Sequence, residues 1–185
     1  GVKFNSVNMM RIPPFSAYFG FILVFLSFLS LVWAYVTSDF SVSLVINNSH
    51  SLKPLIYKIS GVWGNHEGSL LLWILILAFY SAAIAYLGKR LPLKLTALVL
   101  ASQGLISLAF TSFLLFTSNP FIRVLYPSEE GNGFNPILQD FGLAIHPPFL
   151  YLGYVGLSVS FSFAVAALFL GKVDTIWVKW VRPWT

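Results

Sequence analysis

The four residues Ile145-His146-Pro147-Pro148 are the part of this sequence best suited to binding a cofactor, and they open its last apolar stretch. A proline disfavours the helical conformation in the residue before it, so we expect His146 to lie extended just ahead of a helix. The two prolines can then occupy the first helical turn, where a missing N–H costs little. An imidazole held there is free to ligate a metal from the aqueous side.

The histidine has a second interpretation, an interfacial side chain hydrogen-bonded to a loop carbonyl. The aromatic residues that follow, Phe149, Tyr151 and Tyr154, suit the face of a porphyrin but also suit a membrane interface. His50, His66 and His146 all fall in or beside the same two loops, which favours chemistry on one face. We take four residues as candidate support for a site at His146: Trp63, His66, Glu67 and Tyr151.

The dipeptide His66-Glu67 resembles the start of a zinc-protease motif, but the second histidine of that motif would stand where Leu70 is, so a protease is excluded. Local chemistry favours a helix start over catalysis. Asn65 would cap the helix, and Glu67 would lie at the positive end of the helix dipole.

The composition indicates an integral membrane protein, because 57% of the 185 residues are hydrophobic and 9% are charged, against about 25% charged in soluble domains. Four stretches lack charged side chains and reach the roughly 20 residues that a membrane-spanning helix needs. We predict an all-α membrane protein, a single domain over residues 1–185, with helices at about 13–36, 68–87, 95–116 and 147–170.

The distribution of cations predicts that both termini face the cytoplasm or matrix, and that loops 37–67 and 117–146 are exported, each of about 30 residues. Eight cations then lie inside: Lys3, Arg11, Lys89, Arg90, Lys94, Lys172, Lys179 and Arg182. Three lie outside: Lys53, Lys58 and Arg123. In the first loop Phe40, Val42, Leu44 and Ile46 alternate with mostly polar residues, which is typical of a short strand or an interfacial segment.

Several functions are disfavoured. The net charge of +5 comes from cations that flank helices, so the partner is the lipid bilayer and not nucleic acid. The chain has no cysteine, so it supplies no thiol or zinc-thiolate chemistry. No ionisable residue lies in a predicted span, which argues against a proton pump or ion transporter.

Four motifs in order make the sequence resemble the CcmF family of cytochrome c-type biogenesis haem lyases. They are Gly61-Val62-Trp63-Gly64-Asn65-His66-Glu67-Gly68-Ser69-Leu70-Leu71-Leu72-Trp73, then Phe116-Thr117-Ser118-Asn119-Pro120-Phe121, Asn135-Pro136-Ile137-Leu138-Gln139-Asp140, and Gly142-Leu143-Ala144-Ile145-His146-Pro147-Pro148-Phe149-Leu150-Tyr151-Leu152-Gly153-Tyr154-Val155-Gly156. The last four residues, Arg182-Pro183-Trp184-Thr185, also resemble a sequence of this family. The resemblance covers roughly residues 38–185.

This resemblance implies that His146 is an axial ligand to haem iron, in a lyase that joins haem to the thiols of apocytochrome c on the outer face. It assigns no catalytic residue. The family's tryptophan-rich WWD segment and its other haem histidines are missing, so we expect a fragment or one subunit of a split lyase, incomplete without a second CcmF-type chain. A haem chaperone and the thiol-handling partner of apocytochrome c are the other implied partners.

The expected location is a mitochondrial or bacterial inner membrane, with the active face toward the intermembrane space or periplasm. Two alternatives stay open. One is a non-catalytic structural subunit of a larger assembly, and the other is the related haem lyase dedicated to nitrite reductase. A haem-exporting channel is disfavoured, because no predicted span carries enough polar residues to line so wide a path.

Overall fold

The computed structural model describes residues 6–133, 139–171, 173 and 175–184, and for Arg90 and Ile176 it describes the backbone alone. Residues 135–138 of the third motif, Lys3 and Lys172 of the charge count, and Thr185 lie outside the described residues.

The regular secondary structure of the described residues is helical, apart from one isolated bridge. Its helices are α1 (Val7–Met10), α2 (Ile12–Val36), α3 (Ser43–Asn48), α4 (Leu55–Gly61), α5 (His66–Leu87), α6 (Leu93–Thr117), α7 (Phe141–Leu170) and α8 (Thr175–Val181), with 3₁₀ turns at Gly88–Arg90 and Arg182–Trp184. Four segments are long and apolar enough to cross a membrane: Val7–Val36, His66–Leu87, Leu93–Thr117 and Phe141–Leu170. The prediction of an all-α protein with four spans is confirmed, and its orientation stays a prediction.

The start of α7 differs from the prediction. The helix begins at Phe141, so His146 lies within it and both prolines are helix-interior residues. The predicted boundary at residue 147 and the extended conformation of His146 are therefore wrong. The physical reason is a cap: the Asp140 carboxylate accepts the backbone N–H of Leu143 at 3.0 Å, and the Asp140 carbonyl accepts that of Ala144 at 2.9 Å.

The first loop, residues 37–65, contains α3 and α4. Of the two alternatives for Phe40 to Ile46, the short strand is wrong, because α3 begins at Ser43 and buries Leu44 and Val45. The one trace of sheet among the described residues is an isolated antiparallel bridge between Val42 and Arg123.

Contacts between residues divide the chain into two compact units, which are described separately. The first comprises Gly1–Leu23, Leu75–Ala109 and Tyr151–Thr185. Its core contains ten buried residues, contributed by α5, α6, α7, α8 and the connection between α5 and α6: Ile84, Ala85, Leu91, Leu95, Val99, Leu100, Val159, Phe163, Ala166 and Val181. Within it the buried Gln103 donates to the Ser158 hydroxyl at 3.0 Å, which satisfies a polar group that would be costly to leave unpaired in an apolar core.

The second unit, Val24–Ile74 and Phe110–Leu150, contains both loops. The first loop is joined to the second loop, residues 118–140, at two places. At one, the Arg123 guanidinium donates to the Ser41 hydroxyl at 2.7 Å, and the Val124 N–H donates to the Ser41 carbonyl at 3.0 Å. At the other, the Ser51 N–H and hydroxyl donate to the Glu130 carboxylate at 2.9 and 2.5 Å. The two loops therefore contact each other directly within this unit.

Candidate functional site

The first part of the site is the turn that starts α5, and it is a capped helix start as the sequence predicts. The Asn65 side-chain oxygen accepts the N–H of Gly68 at 2.8 Å, and its amide donates to the carbonyl of Gly61 at 2.9 Å and to the Tyr35 hydroxyl at 3.0 Å. Glu67 lies in the first turn of α5, where a negative charge is favourable. Asn65 thus ties the helix start both to α4 and to α2.

This turn requires glycine at position 68. A Cβ atom on Gly68 would lie 1.6 Å from the carbonyl oxygen of Val62 and 2.8 Å from its carbonyl carbon. Both are backbone atoms, so no change of rotamer can relieve the overlap. The close approach folds residues 62–68 back on themselves and leaves Trp63 projecting from the turn.

The Trp63 indole joins this turn to α7. It stacks on Phe28, with ring centroids 6.4 Å apart and planes 15° apart. The Ser69 hydroxyl donates to the Trp63 carbonyl at 2.7 Å, which fixes the backbone from which the indole projects. The indole N–H donates to the carbonyl oxygen of Ala144 at 2.8 Å. Ala144 is buried and lies two residues before His146, so two of the motifs picked from the sequence meet here.

His146 itself is exposed on α7. Residues three and four positions away share its face of the helix, and these are Gly142, Leu143, Phe149 and Leu150, all of them exposed. Phe149 has 68% of its surface exposed and Leu150 48%. His146 therefore lies on an exposed, mostly apolar face of α7 that also includes Gly142. Ala144 is buried and lies on the face of the helix that packs against the protein.

The other candidate residues occupy different positions. His66 is the first residue of α5, exposed, with its ring edge-on to Phe113 at 6.4 Å between centroids. His50 lies in the first loop, where its Nδ1 accepts the N–H of Leu52 at 3.2 Å and is 3.8 Å from a Glu130 carboxylate oxygen. Tyr151 belongs to the first unit, where its ring meets that of Tyr154 at 5.6 Å. The structure thus brings Trp63 to the segment of His146.

Three charged side chains of the loops form hydrogen bonds within the loops, and the pKa of each is lowered: Asp39, Lys53 and Glu130. Hydrogen bonds from Ser51, and then from the backbone of Gly131, lower the pKa of Glu130 to about 2. Hydrogen bonds from Ser41 lower the pKa of Asp39, with Arg123 contributing further. Burial, and then the charge of Lys58, lowers the pKa of Lys53 to about 8, and its ammonium donates to the carbonyl of Asn48 at 3.1 Å.

Sequence reasoning missed three residues that shape the site. Asp140 is the cap that moves His146 into the helix, and an acidic residue directly before an apolar run is a helix-start signal that could have revealed it. Gly68 and Phe28 had no comparable signal, because their importance comes from contacts with the backbone of Val62 and with the ring of Trp63.

Comparison with known proteins assigns the chain to a protein family. The sequence model of the family "Cytochrome C assembly protein" matches residues 63–184. The chain belongs to this family, and its resemblance to CcmF is confirmed.

Individual relatives support the same family assignment. The chain is 60% identical over 185 residues to the cytochrome c-type biogenesis protein CycK of Rhizobium meliloti, and 46% identical over 187 residues to CcmF of Haemophilus influenzae. It covers 100% of its own length in both cases and 27% and 29% of theirs. It is also 41% identical over 187 residues to the "Probable cytochrome c-type biogenesis protein NrfE" of Escherichia coli, of which it covers 34%. The chain thus spans about a quarter to a third of these relatives.

A solved structure titled cytochrome c haem lyase CcmF has the same fold. It superposes with a TM-score of 0.83 at 29% sequence identity, over 97% of this chain and 28% of that one. The helices described above are therefore those of a CcmF-type membrane protein.

Proposed function

We propose that this chain forms part of a haem lyase that attaches haem to apocytochrome c, and that His146 is an axial ligand to the haem iron. The observation that carries the proposal is the exposed imidazole on an exposed apolar face of α7. A porphyrin needs apolar surface beside its axial histidine, and Phe149, Leu150 and Gly142 provide it. Among the described residues, no group of three or more His, Cys, Asp or Glu could hold a metal ion.

The length of α7 supports a site near the membrane surface. Its 30 residues extend about 45 Å at 1.5 Å per residue, whereas the hydrocarbon core measures about 30 Å. The turns before Pro147 can therefore project from the bilayer with His146 among them. The excess of cations in the other connections supports an outer position for this end of α7.

When bound, haem supplies the vinyl groups to which the thiols of apocytochrome c add. The residues of this chain would hold and orient the macrocycle: the His146 imidazole would ligate the iron, and the apolar face of α7 would exclude water from one side. The second axial ligand and the WWD segment would come from a second CcmF-type chain. A haem chaperone would deliver the haem, and the thiol-handling partner would present reduced apocytochrome. The bacterial relatives favour a bacterial inner membrane over a mitochondrial one.

The absorption spectrum of the purified assembly tests the role of His146. His146→Ala should remove one axial ligand, shift the haem bands and lower the yield of cytochrome c, and added imidazole should restore the spectrum. His50→Ala is the matched control, since that histidine lies in the first loop and contacts Glu130. An unchanged spectrum with His146→Ala would contradict the proposal and favour a non-catalytic structural subunit.

The likeness to NrfE supports one alternative, in which the same haem surface serves attachment to nitrite reductase. The two functions differ in the apocytochrome that is accepted. Complementation of strains that lack either lyase distinguishes them, because a dedicated nitrite-reductase enzyme would leave the other cytochromes c without haem.

A further inference from the structure

The double proline beside His146 has a consequence for the backbone of α7. In an α-helix each N–H donates to the carbonyl four residues earlier. Pro147 and Pro148 have no N–H, so the carbonyl groups of Leu143 and Ala144 lose their partners within the helix. Leu143 is exposed and its carbonyl can be reached by water, but Ala144 is buried. A buried carbonyl without a partner is costly.

The partner of that buried carbonyl is the Trp63 indole, which donates to it at 2.8 Å from 81 residues away. The indole takes the place of the N–H that Pro148 cannot supply. It is rigidly held, because it stacks on Phe28 and projects from a turn fixed by the Asn65 cap, the Ser69 hydroxyl and the close approach at Gly68.

We propose that Trp63 is a positioning residue for His146. Its hydrogen bond to Ala144 fixes the backbone of α7 at the turn from which the imidazole projects, and so sets the direction of the imidazole toward haem. The inference rests on the proposed role of His146 as a haem ligand. The prolines remove two intrahelical hydrogen bonds from this turn, and the indole supplies a replacement for one of them.

The decisive variants are Trp63→Phe and Pro148→Ala. Phenylalanine keeps an aromatic ring against Phe28 but has no N–H to donate. Alanine at position 148 restores the backbone N–H that can reach the Ala144 carbonyl within the helix. If the hydrogen bond is what matters, Pro148→Ala should rescue Trp63→Phe. Trp33→Phe, at an exposed tryptophan of α2, is the matched control.

The first measurement is amide hydrogen exchange in the haem-free protein, on a peptide that covers residues 141–150. Trp63→Phe should raise the exchange rate of this peptide about tenfold, the ratio that corresponds to about 1.4 kcal/mol, and the double variant should exchange within about twofold of Pro148→Ala alone. Trp33→Phe should exchange like the unmodified protein. An unchanged rate in Trp63→Phe, or a double variant that exchanges as fast as Trp63→Phe, would overturn the proposal.

The second measurement is haem affinity in the assembled protein, followed by the absorption bands during titration with haem. Trp63→Phe should weaken binding about tenfold, and the double variant should bind within about twofold of Pro148→Ala alone. Normal binding by Trp63→Phe, in a protein where His146→Ala binds poorly, would contradict the positioning role. Normal binding by His146→Ala itself would contradict the proposed function instead, so the two failures are distinguishable.

Discussion

Replacing Gly68 with alanine should destabilise the protein more than any other glycine-to-alanine change within its long helices. A Cβ atom there would lie 1.6 Å from the Val62 carbonyl oxygen, while real Cβ contacts essentially never fall below 3.0 Å, so the two groups must separate by about 1.4 Å. Alanine gains about 1 kcal/mol in helix propensity. Against this, overlap in a tight site costs typically about 1–3 kcal/mol, and displacement of the Asn65 cap costs about 1 kcal/mol more.

The expected result is a net loss of about 1–3 kcal/mol in the free energy of unfolding, measured by denaturant titration in detergent micelles. Gly104→Ala is the matched control, because it lies within α6 and a Cβ there would meet nothing within 4 Å. That variant should be neutral or stabilised by up to about 1 kcal/mol. Equal stabilities for the two variants would refute the idea that the approach of Val62 to Gly68 holds the turn together.

Two further predictions concern the α7 cap and the contact between the loops. Asp140→Ala should lower stability by about 1 kcal/mol and speed amide exchange at the start of α7, whereas Asp140→Asn should retain most of the cap; equal exchange in both variants would contradict this. Glu130 has a pKa near 2 when folded and 4.5 ordinarily, so its stabilising effect is complete above pH 4.5 and is lost as the pH falls toward 2. Glu130→Gln should flatten the dependence of the unfolding midpoint on pH over that range, while Glu129→Gln should leave it intact.

Those parts of the structure that depend on local sequence could be predicted. The four spans follow from long runs without charge, and the start of α5 follows from Asn65 standing just before an apolar run. The start of α7 could not be placed from the same rules, because two of them conflict. The residue before a proline is disfavoured in a helix, whereas Asp140 is a strong cap, and the cap determines the outcome.

Local rules also give no weight to partners that are distant in sequence. Helix-breaking residues are tolerated when a neighbouring segment satisfies the freed backbone groups, and here that segment carries Trp63. Trp63 and His146 were predicted as candidate site residues from motifs, and the structure joins the segments of the two motifs by a hydrogen bond. The role of Gly68 depends on backbone geometry that no residue pattern encodes.

The joining of the two loops has a consequence for synthesis on the ribosome. The bonds from Ser51 to Glu130 link residues 79 positions apart, and those from Arg123 to Ser41 link residues 82 apart. The groups of the first loop that bond to the second loop therefore lack these partners until α5, α6 and the second loop have been synthesised. Assembly of this unit is complete only when the two loops meet.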